Sequence, residues 1–479
     1  MSSETVSRRA WLASAAFSAA RLWARDQAGQ AASVPCGSGA GASPCKVFDA
    51  LKYGAAGDGK TLDTAAIQKA IDAAAAAGGG QVLIRGGKKY LVSTLMLRGG
   101  IDFHLADDAE LLVSTNRADY PADADGVLTA DGAQNLKITG SGNIDGRAME
   151  FMTGYDKAGE IWNFGRFRPK IFILTACRGL EVRGISFGHA PFWGLHMLGC
   201  EHVLVDGLRI RNDLDVPNCD GIDPDHCRDV EIRNCDIVCG DDAIVVKGTR
   251  QWEKYGPSAN IRVSDCVMET KDSALKIGTE TTDDVHDIRF ERCHARSCCR
   301  GLTIQLRDEG NVYNVDFSDI QFTSQYQAAP WWGRGEAISF TAMPRSPGGR
   351  VGSIHDVRVR NVAARAENSV RVQSFGEGRV EQVSFENVAL TLDRWTKYPG
   401  GVFDNRPTTA FPATPNHDTP AFYFGNARKI AIRNCHVSWG ANAPSYFSNA
   451  VQCDQATDVS LTGLSGEGAH PTDETVVFR

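Results

Sequence analysis

From about residue 136 onward the chain repeats one short pattern: apolar, polar, apolar, two polar or small residues, apolar, polar, apolar, as in Val230-Glu231-Ile232-Arg233-Asn234-Cys235-Asp236-Ile237. Segments of this kind begin at Leu136, Leu180, Val203, Val230, Ile261, Ile288, Val315, Val357, Val383, Ile430 and Val459. Period-two alternation is the mark of a strand, and a helical solenoid would need a period near 3.6. Spacings of about 23 to 31 residues, lengthened where loops are inserted, suit one coil of three short strands. The expectation is an all-β fold, a right-handed parallel β-helix, in which equivalent residues of successive coils stack into ladders.

The cysteines obey the same period. Cys177, Cys200 and Cys227 each precede a repeat start by three residues, and Cys235, Cys266, Cys293 and Cys435 each follow one by five. Ile320, Val362, Val388 and Leu464 fill the second column on other coils, so the thiols are expected as core residues rather than disulfides or metal ligands. A solenoid end exposes core and strand edges, which calls for an N-terminal capping helix. Asp63 is placed to cap a helix from Thr64 to Ala77 with Ile67, Ala70, Ile71 and Ala74 on one face, ended by Gly78-Gly79-Gly80.

Composition narrows the functions. In 479 residues of formal net charge -7, opposite charges are interspersed, which gives no basic field for nucleic acid or an anionic membrane. No apolar run after the leader approaches the roughly 20 residues of a membrane span. Ser7-Arg8-Arg9-Ala10-Trp11-Leu12 resembles a twin-arginine export motif, followed by an Ala-rich stretch from Leu12 to Ala24 that Arg21 interrupts. The expected division is a signal peptide over 1–32, cleaved near Gln30 to Ser33, a Gly/Ser-rich leader over 33–45 with a local Cys36–Cys45 disulfide, and a catalytic β-helix over 46–479. No Cys and His pair shows ligand spacing, so no metal or cofactor is expected, and the working unit is expected to be a monomer.

One strand column can be aligned on the apolar positions Leu195, Ile222, Ile244, Leu275, Leu302 and Ile338. Two residues earlier lie Trp193, Asp220, Asp242, Ser273, Arg300 and Glu336, and one residue later His196, Asp223, Val245, Lys276, Thr303 and Ser339. Asp220 and Asp242 thereby share a column on neighbouring coils with Asp241 adjacent, which crowds carboxylates within about 5 to 8 Å. Crowding raises at least one pKa, keeping one acid protonated for a leaving group while an ionised partner activates water. That is the chemistry of acetal hydrolysis. The alternatives are turn residues or ligands of a structural cation such as calcium.

The segment Phe48-Asp49, Gly57-Asp58-Gly59, Asp63-Thr64 and the triple glycine, with Arg168-Pro169, Pro191-Phe192-Trp193, Asn218 to Asp225 and Gly240 to Ile244, resembles glycoside hydrolase family 28 over roughly residues 46 to 320. The resemblance implies Asp241 as general acid and Asp220 with Asp242 as water-activating bases, with inversion at the anomeric carbon. Inverting acid and base groups stand about 6.5 to 9.5 Å apart. Two family motifs are missing. Where the family's polygalacturonases carry Gly-His-Gly this chain has Asp272-Ser273-Ala274, and where they carry Arg-Ile-Lys it has Thr303-Ile304-Gln305. A carboxylate grip needs a fixed cation, so the substrate is expected to diverge from plain homogalacturonan.

Lys247, Lys276, Arg300 and Arg307 lie on or near the wall and could restore a cation, or be solvated surface residues; Gln305 stands at the altered motif. His196 beside Asp223 could bind sugar hydroxyls or be a satisfied surface histidine. In the insertion before Val357, Trp331 and Trp332 are expected as exposed sugar platforms, with Arg334 and Glu336 bonding to hydroxyls, unless the pair packs the loop; Trp252 and Tyr255 form a smaller rim. Loops walling one end of the groove would favour exo attack. A polysaccharide lyase or epimerase, needing a cation and a base beside a uronate, and a non-catalytic carbohydrate-binding β-helix are the other readings.

Overall fold

Successive coils stack in the register that the repeat demands. In the computed structural model, which describes residues 46–411, 413–414 and 417–479, the repeat starts pair one above another from Leu180 through Val203, Val230, Ile261, Ile288, Val315, Val357, Val383 and Ile430 to Val459. The segments 1–32 and 33–45, with Cys36 and Cys45, lie outside the described residues. Among the described residues, every pairing between coils within the large 24-stranded and 13-stranded sheets is parallel, and the fold is a right-handed parallel β-helix.

Each coil bends after its first strand at a residue in the left-handed region, such as Asn234 (φ 54°), Asp265 (φ 57°), Asn361 (φ 54°) and Asn387 (φ 54°). Asn and Asp tolerate that conformation because their short side chains bond locally. Here they also bond between coils, Asn361 Nδ2 to Asp319 at 3.0 Å and Asn387 Nδ2 to Asn361 at 3.0 Å. The inward residues between bends are fully buried, each contributing about 1.5–3 kcal/mol of apolar burial. The twelve described cysteines are buried and unpaired, and seven of them belong to the two columns that the spacing indicated.

The helix Thr64–Ala76 buries Ile67, Ala70, Ile71 and Ala74 against the strands Val47–Asp49, Gly80–Ile84 and Leu95–Met96. Asp63 precedes it without a side-chain cap bond, contrary to expectation. Its carboxylate instead accepts from the backbone of Ala56 at 2.6 Å and Gly57 at 3.0 Å, fixing the incoming loop.

Three excursions leave the coils and matter for the site. They are an antiparallel hairpin, Met152–Asp156 with Ile161–Phe164, the segment 325–335, and the segment 393–420. They meet at Glu160, whose backbone carbonyl accepts from Trp331 Nε1 at 3.1 Å and whose carboxylate accepts from Lys397 at 2.5 Å and Tyr398 at 2.6 Å.

Candidate active site

The 13-stranded sheet carries the polar wall. Its apolar positions pair Leu195 with Ile222, Ile222 with Ile244, Ile244 with Leu275, Leu275 with Leu302 and Leu302 with Ile338, the column the sequence indicated. The turn before each strand presents its acids at the same height. Close stacking there needs Gly221, since a Cβ at that position would stand 2.4 Å from the Ala243 carbonyl.

Asp220, Asp241 and Asp242 converge, each offering a carboxylate oxygen within 4.8 Å of the others. Asp242 accepts from Lys276 Nζ at 2.6 Å and from the Ser273 backbone at 3.3 Å. Asp241 accepts from the Asn218 backbone at 3.1 Å and from the Asp242 backbone at 3.0 Å. Asn218 is itself held by Arg168, whose Nη2 donates to its side chain at 3.0 Å while Nη1 spans the carbonyls of Pro191 (3.1 Å) and Pro217 (2.8 Å).

Burial, then the charges of Asp220 and Asp242, pushes Asp241 up to about 7. Burial and the neighbouring Asp223 push Asp220 well above the usual carboxylate range against Lys247. Asp272 is raised to about 8 by burial and Asp242, against Lys276 and Arg300. Carboxyls pushed toward the protonated form therefore stand beside one that is ion-paired to Lys276. The same three acids are the group with metal-ligand spacing among the described residues, and the ammonium of Lys276 already lies on Asp242.

The nearest oxygens of the three acids are closer than the interval of about 6.5–9.5 Å typical of inverting pairs. Asp241 and Asp242 are neighbours in sequence, and Asp220 stands one coil's rise away. This spacing does not itself carry the stereochemical outcome.

A cavity of about 330 Å³ opens over the cluster. Of the expected binding residues, Lys247, Lys276, Gln305 and Trp332 line it. So do Trp193, Asn218, Asp272, Thr279, Glu280, Arg345 and Pro407, which sequence reasoning did not name as binding residues. A shallower depression of about 750 Å³ lies on the other sheet among Lys137, Glu181, Glu231 and Arg262, and has no convergent acids.

The other expected binding residues are buried and do not line the cavity. Trp331 is buried at 1% exposure, its ring under Lys271 and its Nε1 bonded to Glu160, so it packs the loop and offers no sugar platform. Glu336, also buried, accepts from the backbones of Arg334 (2.6 Å) and Asp404 (3.3 Å). Arg300 is buried between Asp272 (3.2 Å) and Asp404 (3.1 Å). Arg307 donates to the Leu306 and Thr341 carbonyls, both at 3.0 Å, beneath the sheet. His196 is no surface residue: it is buried between Lys170 (3.1 Å) and Asp225 (3.3 Å), with burial lowering its pKa to about 4. Asp223 is fully buried, 3.9 Å from Lys247 and raised to about 7 by burial. Of the smaller rim, Tyr255 rests on Gly199.

Beyond the strand Arg300–Leu306 the wall is covered. The segment 402–407 lies over it, with Gly333 N to Asp404 at 2.6 Å, Arg371 to the Asp404 carbonyl at 3.2 Å, Asn368 to the Val402 carbonyl at 2.9 Å and Gln305 to the Arg406 carbonyl at 3.3 Å. Ser339, Thr341 and Arg371 are buried beneath it. Burial works against the charge of Asp404, yet Arg300 and Arg406 hold its pKa far below the usual range. The cavity thus has a closed end at Gln305 and Pro407 and continues toward Trp193, which carries Lys170 and Lys247 at 4.2 and 4.8 Å from its ring.

Residues 82–328 match the family described as glycosyl hydrolases family 28. A probable polygalacturonase of Vitis vinifera is 26% identical over 54% of this chain and 57% of its own length, and an exopolygalacturonase of Zea mays 28% identical over 56% and 64%. The chain thus spans little more than half the length of the grapevine relative. The family 28 exopolygalacturonase of Yersinia enterocolitica superposes with a TM-score of 0.67 at 18% identity, over 90% of this chain and 80% of that one, a likeness of fold.

Proposed function

The chain belongs to glycosyl hydrolases family 28, and from that premise we propose that it hydrolyses glycosidic bonds of a pectic or related plant cell-wall polysaccharide. The observation that carries this reading is the pair Asp241 and Asp242. One carboxyl is held up to about 7, and the other, within 4.8 Å, is ion-paired to Lys276. In this reading Asp241 donates its proton to the leaving glycosidic oxygen as the C–O bond breaks. Asp242, kept beside the Lys276 ammonium, takes a proton from the water that attacks the anomeric carbon, and Asp220, its carboxyl pushed up by burial and Asp223, orients that water. Lys276 keeps negative charge on the base side while positive charge builds on the sugar ring.

Inversion is part of the proposal and rests on the family resemblance. Exo attack is supported by the segment 402–407, which stops a chain from running past Gln305, and by the likeness to the maize exopolygalacturonase. Lyase or epimerase chemistry needs a free cation and base beside a uronate, and the cavity's cations are already paired. The Ser7 to Leu12 motif supports export through the twin-arginine route. Among the described residues no helix is long and apolar enough to cross a membrane.

The test is product analysis on pectic oligosaccharides with Asp241→Asn as control. New reducing ends, with inverted anomeric configuration in the first minutes by proton NMR, are expected from the wild type, and a loss of about 10²–10⁴ in rate from the variant. Full activity in Asp241→Asn would remove the proposed acid. An unsaturated, ultraviolet-absorbing product would favour a lyase, and binding with no product a lectin-like role.

A further inference from the structure

We propose that the sugar held in this cavity is uncharged, a neutral pyranose or an esterified uronate, and that Glu280 enforces the choice; this rests on the hydrolase reading above.

Glu280 reaches the cavity through an irregularity in the stacking. Between the strands Ile244–Gly248 and Ser273–Thr281, Val246 pairs with Ile277, but the next pairing is Gly248 with Thr281. Two steps on one strand face four on the other, so two extra residues bulge out. Gly278 (φ 98°) makes the turn, where a Cβ would stand 2.3 Å from the Gln305 carbonyl. The bulge presents Thr279 and Glu280 to the cavity.

There Glu280 lies between the cations that an acidic sugar would need. Its carboxylate is 3.4 Å from Lys247 Nζ and 3.7 Å from Arg345 Nη2. Lys247 also faces Asp223 at 3.9 Å, and Arg345 is forked onto Asp308 at 2.7 and 2.8 Å. Lys276, the remaining cation lining the cavity, is held by Asp242 at 2.6 Å. Every lining cation therefore already has a carboxylate within 4 Å. Burial opposes the charge on Glu280, but Lys247 and Arg345 outweigh it and hold the group below the usual glutamate range.

A sugar carboxylate entering here finds no unmatched cation and meets the charge of Glu280, a repulsive element that selects by exclusion. A neutral ring meets hydrogen-bonding groups instead. The side chains of Asn218, Thr279 and Gln305 line the same space, and Glu280 can accept from a hydroxyl.

The test measures binding, in the Asp241→Asn background to prevent turnover, by calorimetry at pH 7 with digalacturonate, its dimethyl ester and a neutral galactobiose. The uncharged ligands should bind at least about tenfold more tightly than the free acid, with the ester and the neutral disaccharide distinguishing the two sources. Glu280→Gln should erase most of that gap by strengthening the acid, and Glu280→Asp should keep it. Equal or tighter binding of the free acid, a gap unchanged in Glu280→Gln, or no binding of any of the three overturns the proposal. Failure of the hydrolase reading shows separately, as a wild type that discriminates among these ligands yet releases no reducing ends from any oligosaccharide.

Discussion

Lys276 Nζ stands 2.6 Å from Asp242 Oδ2 with both side chains at least nine-tenths out of solvent. Removing one partner of such a pair strands the other. Lys276→Met should cost about 3–5 kcal/mol by chemical denaturation, and Lys276→Arg should recover part of it. The same variant should lower kcat by about 10²-fold or more with little change in KM, because the base loses the charge that holds it in place. Wild-type kcat in Lys276→Met would separate the pair from the chemistry.

The raised carboxyls give stability a definite pH dependence. Asp241 and Asp223 (about 7) and Asp272 (about 8) lie above the ordinary value of 3.8, so the folded chain binds these protons more tightly than the unfolded one. Their stabilisation is complete below the unfolded value and is lost as pH rises through 7 to 8. Tm should therefore fall between pH 5 and pH 9, and Asp272→Asn should flatten the fall, its amide having no proton to lose. Asp225 and Asp404, held low, act at the other extreme and withdraw their stabilisation as the solution is acidified below the usual carboxylate range. Activity should decline above about pH 7 as Asp241 ionises.

Asp404 fastens the covering segment to the wall through Arg300 and to the segment 325–335 through the Gly333 backbone, and pairs with Arg406 within its own segment. Asp404→Ala should destabilise by about 3–5 kcal/mol, since Arg300 loses one of its two closest buried partners. It should also change the product pattern from one small early product to a ladder of oligomers, read by chromatography over time. An unchanged pattern would show that this segment does not stop the chain.

Arg168 touches no reacting group, yet it holds the Asn218 side chain, and the Asn218 backbone donates to Asp241. Arg168→Ala should lower kcat about 10- to 100-fold while KM moves by less than about threefold. The basic limb of the pH profile should move as well, because the bond on the acid is lost; Arg168→Lys should restore little, lacking the fork that spans two carbonyls and an amide. Unchanged pH dependence would assign Arg168 a purely structural role.

The column from Leu195 to Ile338 was legible because period-two burial and a constant coil length leave one register that keeps every apolar side chain inside. The acids followed from that register, and the cysteine columns from the same arithmetic. Glu280 was not legible, because the pattern of Ser273 to Thr281 does not show a two-residue bulge. Arg345 and Pro407 come from insertions outside the repeat, whose path no period specifies. Trp331 misled because adjacent tryptophans look the same in sequence whether a loop folds them under or out. Only the contact with Glu160, 171 residues away, decides. The crowding of the acids was legible as well, since Asp241 and Asp242 are neighbours in sequence and Asp220 stands one coil away.

In the exo reading proposed above, the segment 402–407 acts as a back wall to the groove, and a room with one doorway imposes an order of events. Under the proposed exo attack the severed unit would sit innermost, behind the polymer that delivered it, so the long fragment would have to back out before the small one could leave. Each cut then requires a fresh entry. In that reading turnover would be sensitive to how fast ends dissociate, the number of chain ends and not the mass of polymer would limit the rate, and the viscosity of a pectic solution would fall slowly while reducing sugar accumulates.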